Sequence, residues 1–233
     1  MPPRIHVGIF GGIAAFTLVE LLSVVAVITM MTVVSAPVIQ SVTGSSSASK
    51  TIEDLSGAYE MARIYAMTHH TYTRVGLARV SSDSSVMQPT LIVATIYSVD
   101  GSLTNDDAAS MADDTKWRLT GNVRGFGNFW LYDSLQGASP STADDSKPSD
   151  TDIDSFSRFA GRAGVRSFGC IVQFNPAGEA RVLKSEPTRY IKIGVDQPLN
   201  PSAPDTPRAR NPFILRLSGI NGSVNVIRKE NIL

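Results

Sequence analysis

Few side chains in this sequence have both the type and the spacing that chemistry needs. Glu20 is the first, a carboxylate at the front edge of a run from Leu21 to Ile39 that contains no charge, with Lys50 the next charged residue. An ionised carboxylate carried into apolar surroundings costs ~2.5–3.5 kcal/mol on insertion scales, so a residue placed this way needs a partner or a function. Asp150-x-Asp152-x-Asp154, with Asp144 and Asp145 before it, has the alternate spacing of a calcium loop. It lacks the turn glycine and the closing glutamate, and reads as a solvated loop. His69 and His70 are neighbours at the end of a helical stripe and point roughly 100° apart, which makes them poor joint ligands. Cys170 reads as a small apolar residue opening a strand. Ten cations of the C-terminal third, Arg158, Arg162, Arg166, Arg181, Arg189, Arg208, Arg210, Arg216, Arg228 and Lys229, would make an anion-binding groove if the fold gathered them. The chain has no phosphate loop, nucleophile elbow, dinucleotide fingerprint or histidine-based metal motif. A non-enzymatic role is expected, without cofactor or metal.

The composition bounds what must position these groups. The 233 residues (25.0 kDa) are 42% hydrophobic, enough for one medium domain with an appendage and too apolar for a wholly disordered chain. Lys+Arg and Asp+Glu both total 21, so net charge gives no argument for nucleic acid or an acidic membrane surface. The balance hides a segregation: residues 100–154 carry 4 basic and 11 acidic side chains, and 155–233 carry 12 and 5. One cysteine precludes an intramolecular disulfide, and with three histidines it excludes a Cys/His zinc site.

The run 21–39 would rise about 28 Å as a helix, close to the hydrocarbon thickness of a bilayer. Its only polar side chains are Ser23, Thr29, Thr32 and Ser35, hydroxyls that can bond back to their own helix. Membrane insertion is therefore expected. A cleaved secretory signal fits poorly, because the apolar run is too long, Glu20 stands at its front and Pro37 directly follows the small residues Val34-Ser35-Ala36.

Around the carboxylate the sequence reads Ala15-Phe16-Thr17-Leu18-Val19-Glu20. This resembles the processing signature of type IV pilins and type II secretion pseudopilins, a short leader followed by Phe-Thr-Leu-x-Glu and an apolar helix. The resemblance implies a leader over residues 1–15, cleavage by prepilin peptidase between Ala15 and Phe16, methylation of the new Phe16 amine, and pairing of that amine with Glu20 of a neighbouring subunit. Pro37 matches a position where such helices often carry a proline, which frees a backbone carbonyl and permits local unwinding. The signature departs from the family in having Ala15 where glycine is usual and only Arg4 as a firm leader charge.

Beyond the span, expected over 16–42, an amphipathic continuation is expected over 43–71, with Ile52, Leu55, Tyr59, Ala62 and Ala66 as its apolar stripe. Gly44-Ser45-Ser46-Ser47 could interrupt it. A β-rich globular part should then occupy 72–233. Strands are expected at 72–80, 90–99, 170–174, 180–183, 190–195, 212–217 and 224–227, turns at Asn175-Pro176-Ala177-Gly178 and Asn221-Gly222, and polar loops over 100–115 and 133–156. The expected class is α+β, a long N-terminal transmembrane helix packed on an antiparallel sheet. Its globular half is similar to H-type minor pseudopilins, FimT-like minor pilins and the pilin-like Verru_Chthon cassette protein D group. The resemblance implies a filament subunit at the inner membrane, its globular part periplasmic, with prepilin peptidase, other pilins, the assembly platform and membrane lipid as partners. A FimT-like pilin that binds DNA, and a signal-anchored envelope protein with an enzymatic β-domain, are the alternatives.

Overall fold

The computed structural model describes residues 17–80, 90–131, 145–148, 155–183, 185–197 and 212–228, the side chains of 31–46 and of Arg162 excepted. The chain divides into two compact units, Met1–Ser46 and Ser47–Leu233. Helix α1, Leu18–Thr68, contributes to each.

The structure corrects the expected class. Described residues form mostly antiparallel β-sheet, and among them no helix is long and apolar enough to cross a membrane. The part of α1 in the second unit carries Lys50, Glu53, Asp54, Glu60 and Arg63 and packs by one stripe. Leu55, Tyr59, Ala62 and Ala66 are buried on that stripe, with Ile52 half-buried against the same core. The helix ends in a Schellman turn: Thr71 N–H donates to Ala66 O at 3.0 Å while His70 takes φ +50.

The strands are β1 (Thr73–Val80), β2 (Thr90–Ser98), β3 (Trp117–Leu119), β4 (Arg124–Gly127), β5 (Trp130–Leu131), β6 (Asp145–Ser146), β7 (Phe156–Phe159), β8 (Val165–Phe174), β9 (Ala180–Val182), β10 (Tyr190–Asp196), β11 (Phe213–Ser218) and β12 (Val224–Arg228). A first sheet runs β3-β2-β1-β8-β7, with β4 on β2 and β9 on β8. A second runs β12-β11-β10-β5, with β6 parallel to β10.

Alternation along β1 and β2 explains how the first sheet is coated on both faces. Val75, Leu77, Leu91 and Val93 face a core shared with α1 and with Ile191, Ile193, Val195, Phe213, Leu215 and Leu217 of the second sheet. Ala78, Val80, Ile92, Ala94 and Ile96 face the other way, against Met111, Trp117, Phe156 and Phe168. Gly76 lies on that outer face, where a Cβ would stand 2.7 Å from the Phe156 ring and 2.9 Å from Phe168 Cβ. Beside it the β1–β8 register shifts between Val75 and Leu77, and Cys170 sits at φ +48 in the bulge.

Residues 100–115, read from the sequence as a polar loop, form with Lys116 a strap over this outer face and contain helix α2, Ala108–Ala112. Its aspartates organise turns. Asp107 caps α2 by accepting from Ser110 N–H at 2.9 Å, Asp113 accepts from Thr115 N–H at 2.8 Å, and Asp100 accepts from Ser102 N–H at 2.9 Å. Of the acidic stretch 133–156, the calcium-like residues Asp144, Asp150, Asp152 and Asp154 lie outside the described residues.

Candidate assembly site

The first turn of α1 is closed by a reciprocal pair. Thr17 is its N-cap: Glu20 N–H donates to Thr17 Oγ1 at 3.2 Å, while Glu20 Oε2 accepts from Thr17 N–H at 3.0 Å and from Thr17 Oγ1 at 2.9 Å. This Thr-x-x-Glu capping box satisfies two otherwise orphaned backbone donors, and a carboxylate at a helix N-terminus also meets the positive end of the helix dipole. The spacing was visible in the sequence, where Glu20 draws attention for its charge and Thr17 only as part of the Phe-Thr-Leu-x-Glu run. Ala15 and Phe16, the expected processing pair, lie outside the described residues. Pro37 lies within α1, with its side chain outside the described residues.

Beyond the cap the helix is apolar on every side. Leu18, Val19, Leu21, Leu22, Val24, Val25, Val27, Ile28 and Met30 are each at least half exposed, Leu18 at 80% and Val24 at 52%. Ser23 and Thr29 turn their hydroxyls inward onto Glu20 O and Ala26 O at 2.8 and 2.9 Å, so they add no polar stripe. A contiguous apolar surface of this kind marks an interaction site.

In the second unit the structure sorts the expected cations. Arg158 is buried, donating to Trp117 O at 2.8 Å and pairing with Asp114 at 3.3 Å. Burial pushes its pKa down, and Asp114 and Asp113 oppose the shift. Arg189 and Arg216 come together on one ring, their guanidinium carbons 5.3 and 4.7 Å from the Tyr190 centroid. Arg181 joins Arg189 in the lining of a groove of about 520 Å³ with Thr188, Gly219 and Ile220. Arg228 is exposed at the end of β12, Arg166 lies in β8, and Arg208, Arg210, Lys229 and the Arg162 side chain are outside the described residues.

The most elaborate polar contact involves a residue that the sequence did not single out. Arg74, fully buried in β1, donates to Gln173 Oε1 through Nε at 3.0 Å and Nη2 at 2.8 Å, pairs with Asp106 and lies 4.3 Å over the Trp117 ring. Its signal was positional, an arginine at an alternating apolar position of a strand. Among the described residues no cluster of three or more His, Cys, Asp or Glu could hold a metal ion. The His69 ring lies against Tyr65, tilted by 34° with centroids 4.2 Å apart, and His70 supplies the left-handed turn. The lone Cys170 thiol is buried and faces Pro148 O at 3.9 Å.

No family model, curated protein or solved structure matches the chain.

Proposed function

We propose that this chain is a structural subunit of a pilin-like filament, of the minor pseudopilin or minor pilin kind, serving a type II secretion or type IV pilus machine. In this reading prepilin peptidase cuts between Ala15 and Phe16, the new Phe16 amine is methylated, and an inner-membrane platform adds the subunit to its neighbours. The β-rich unit then stands on the periplasmic side. Its partners do the chemistry, and it supplies surface.

The observation that supports this best is the apolar start of α1, exposed from Leu18 to Met30 behind a capped first turn. Helices of neighbouring subunits would cover that surface, and at ~25 cal/mol per Å² its burial is the main driving term for assembly. Glu20 adds specificity. Within one chain its carboxylate is held by Thr17; in a filament it also offers a counter-charge to a neighbour's Phe16 amine, an attraction that strengthens as water is excluded.

Mass analysis of the mature N-terminus, in cells that carry the chain's own peptidase, tests the reading. A start at methylated Phe16 is expected, and a start at Met1 or Pro37 overturns it. Glu20→Gln keeps the cap's shape, since Gln also closes capping boxes, and removes the charge. Incorporation into filaments should fall at least tenfold, and undiminished incorporation rejects the role given to Glu20.

A further inference from the structure

The layering of the second unit places opposite charges on opposite sides. The strap of residues 100–116 covers the face of the first sheet turned away from the shared core. It carries Asp100, Asp106, Asp107, Asp113 and Asp114; Lys116 on the strap, Arg74 at Asp106 and Arg158 at one oxygen of Asp114 offset part of that charge, and Asp100, Asp107 and Asp114 remain exposed. On the second sheet, Ile191, Ile193, Leu215 and Leu217 point into the shared core, so Tyr190, Lys192 and Arg216 point out of its far side. There Arg189 and Arg216 flank Tyr190 with no carboxylate on either guanidinium among the described residues, while Lys192, directly opposite Arg216, is neutralised by Asp145 at 2.7 Å. A flat ring holding two guanidinium groups in place has already lost the side-chain entropy that carboxylate binding would cost.

Two complementary surfaces on opposite faces of one unit cannot meet within it. Between copies they can, and a contact made by two different surfaces is heterologous, so it propagates unless its rotation closes a ring. We propose that the Arg189–Tyr190–Arg216 platform of one copy receives the aspartate strap of a second copy, with the Asp107 and Asp114 carboxylates accepting from its guanidinium groups. The proposal rests on the filament reading and names its lateral partner. The platform orients each guanidinium for a bidentate carboxylate pair, and the strap presents its carboxylates on rigid turns, which makes the contact a register between subunits added to the helix-mediated one.

The test uses the full chain in nonionic detergent at low salt, with unlabelled and ¹⁵N-labelled copies mixed. Arg216→Lys keeps the charge and introduces an amine that carbodiimide joins to a touching carboxylate. The expected products are mixed-isotope peptides linking position 216 to Asp107 or Asp114. Their yield should fall about tenfold in the added background of Asp107→Asn and Asp114→Asn, which retains the α2 cap because asparagine also caps. Same-isotope products alone, or coupling only to other carboxylates, overturn the proposal. Retention of a short DNA duplex, lost in Arg189→Glu/Arg216→Glu and unaccompanied by strap coupling, also overturns it, in favour of a nucleic-acid surface. A chain that matures at Phe16 and forms filaments without the coupling rejects this contact and leaves the filament reading standing. Coupling in a chain that keeps Met1 does the reverse.

Discussion

His70 shows how far a residue's chemistry can mislead. Beside His69 it looks like half of a ligand pair, yet its backbone at φ +50 terminates α1, a place where glycine is usually preferred. His70→Gly should raise unfolding stability by about 0.5–1 kcal/mol and His70→Val should lower it by about 1–2 kcal/mol, both read by denaturant titration. Tyr59 makes a second residue-scale case. Its ring fills the core, but its buried hydroxyl has no hydrogen-bond partner among the described residues, and burial pushes its pKa well above the ordinary range. Tyr59→Phe removes an unpaid desolvation penalty and should stabilise by about 1 kcal/mol in the same titration. The unpartnered hydroxyl cannot be read from sequence, because it depends on what lies across the core. The stripe that carries Tyr59 could be read, since Leu55, Tyr59, Ala62 and Ala66 fall at helical spacing.

At the scale of elements, legibility followed length. The seven expected strands correspond to β1, β2 and β8 to β12, because runs of Val, Ile, Leu and Tyr between turn residues are long enough to show their period. The short strands β3 to β7 escaped, since two to four residues have no period and exist by pairing with a neighbour already in place; β9, as short, could be read because the Asn175-Pro176-Ala177-Gly178 turn folds it back on β8. The apolar run near the N-terminus was read as a membrane span from its length, and among the described residues no helix meets that requirement. The strap was read as a polar loop because its aspartates look solvated, whereas they cap turns and leave Met111 and Trp117 for the sheet. The Ser98 hydroxyl on Asp100, the Ser110 hydroxyl on Asp107 and the Thr115 N–H on Asp113, with the turn bonds beside them, hold the three carboxyls below their usual range. A depressed folded pKa gives stability that is present above the unfolded value, near 3.9, and lost as pH falls through the lower folded values. Carboxyl NMR titration should therefore find all three midpoints below those of an unfolded peptide. The melting temperature should begin to drop through these groups only below about pH 4. Arg74→Met should release the strap by removing its anchor to Asp106 and Gln173. Limited proteolysis would then cut within 100–116 at least tenfold faster, while the core shared with α1 stays protected.

At the scale of the whole molecule, the second unit is closed by its last strands. Glu60 on α1 accepts from Val224 N–H at 3.0 Å, a contact 164 positions long, and also holds Arg63 at 3.3 Å. At the Asn221-Gly222 turn, Gly222 comes so near Gly178 that a Cβ there would stand 2.3 Å from its carbonyl oxygen. A chain shortened to residue 197 lacks β11 and β12, and with them Phe213, Leu215 and Leu217 of the shared core. It should bind a hydrophobic dye and fail to unfold cooperatively, which calorimetry would register.

That long tie sets an order of events at the ribosome. The stripe of α1 leaves the exit tunnel with β1 and β2 close behind, but Phe213, Leu215 and Leu217 complete its cover only much later, so part of a greasy ridge stays bare in between. Contacts of such reach form slowly, and the core is open to misassociation until β11 and β12 have been made.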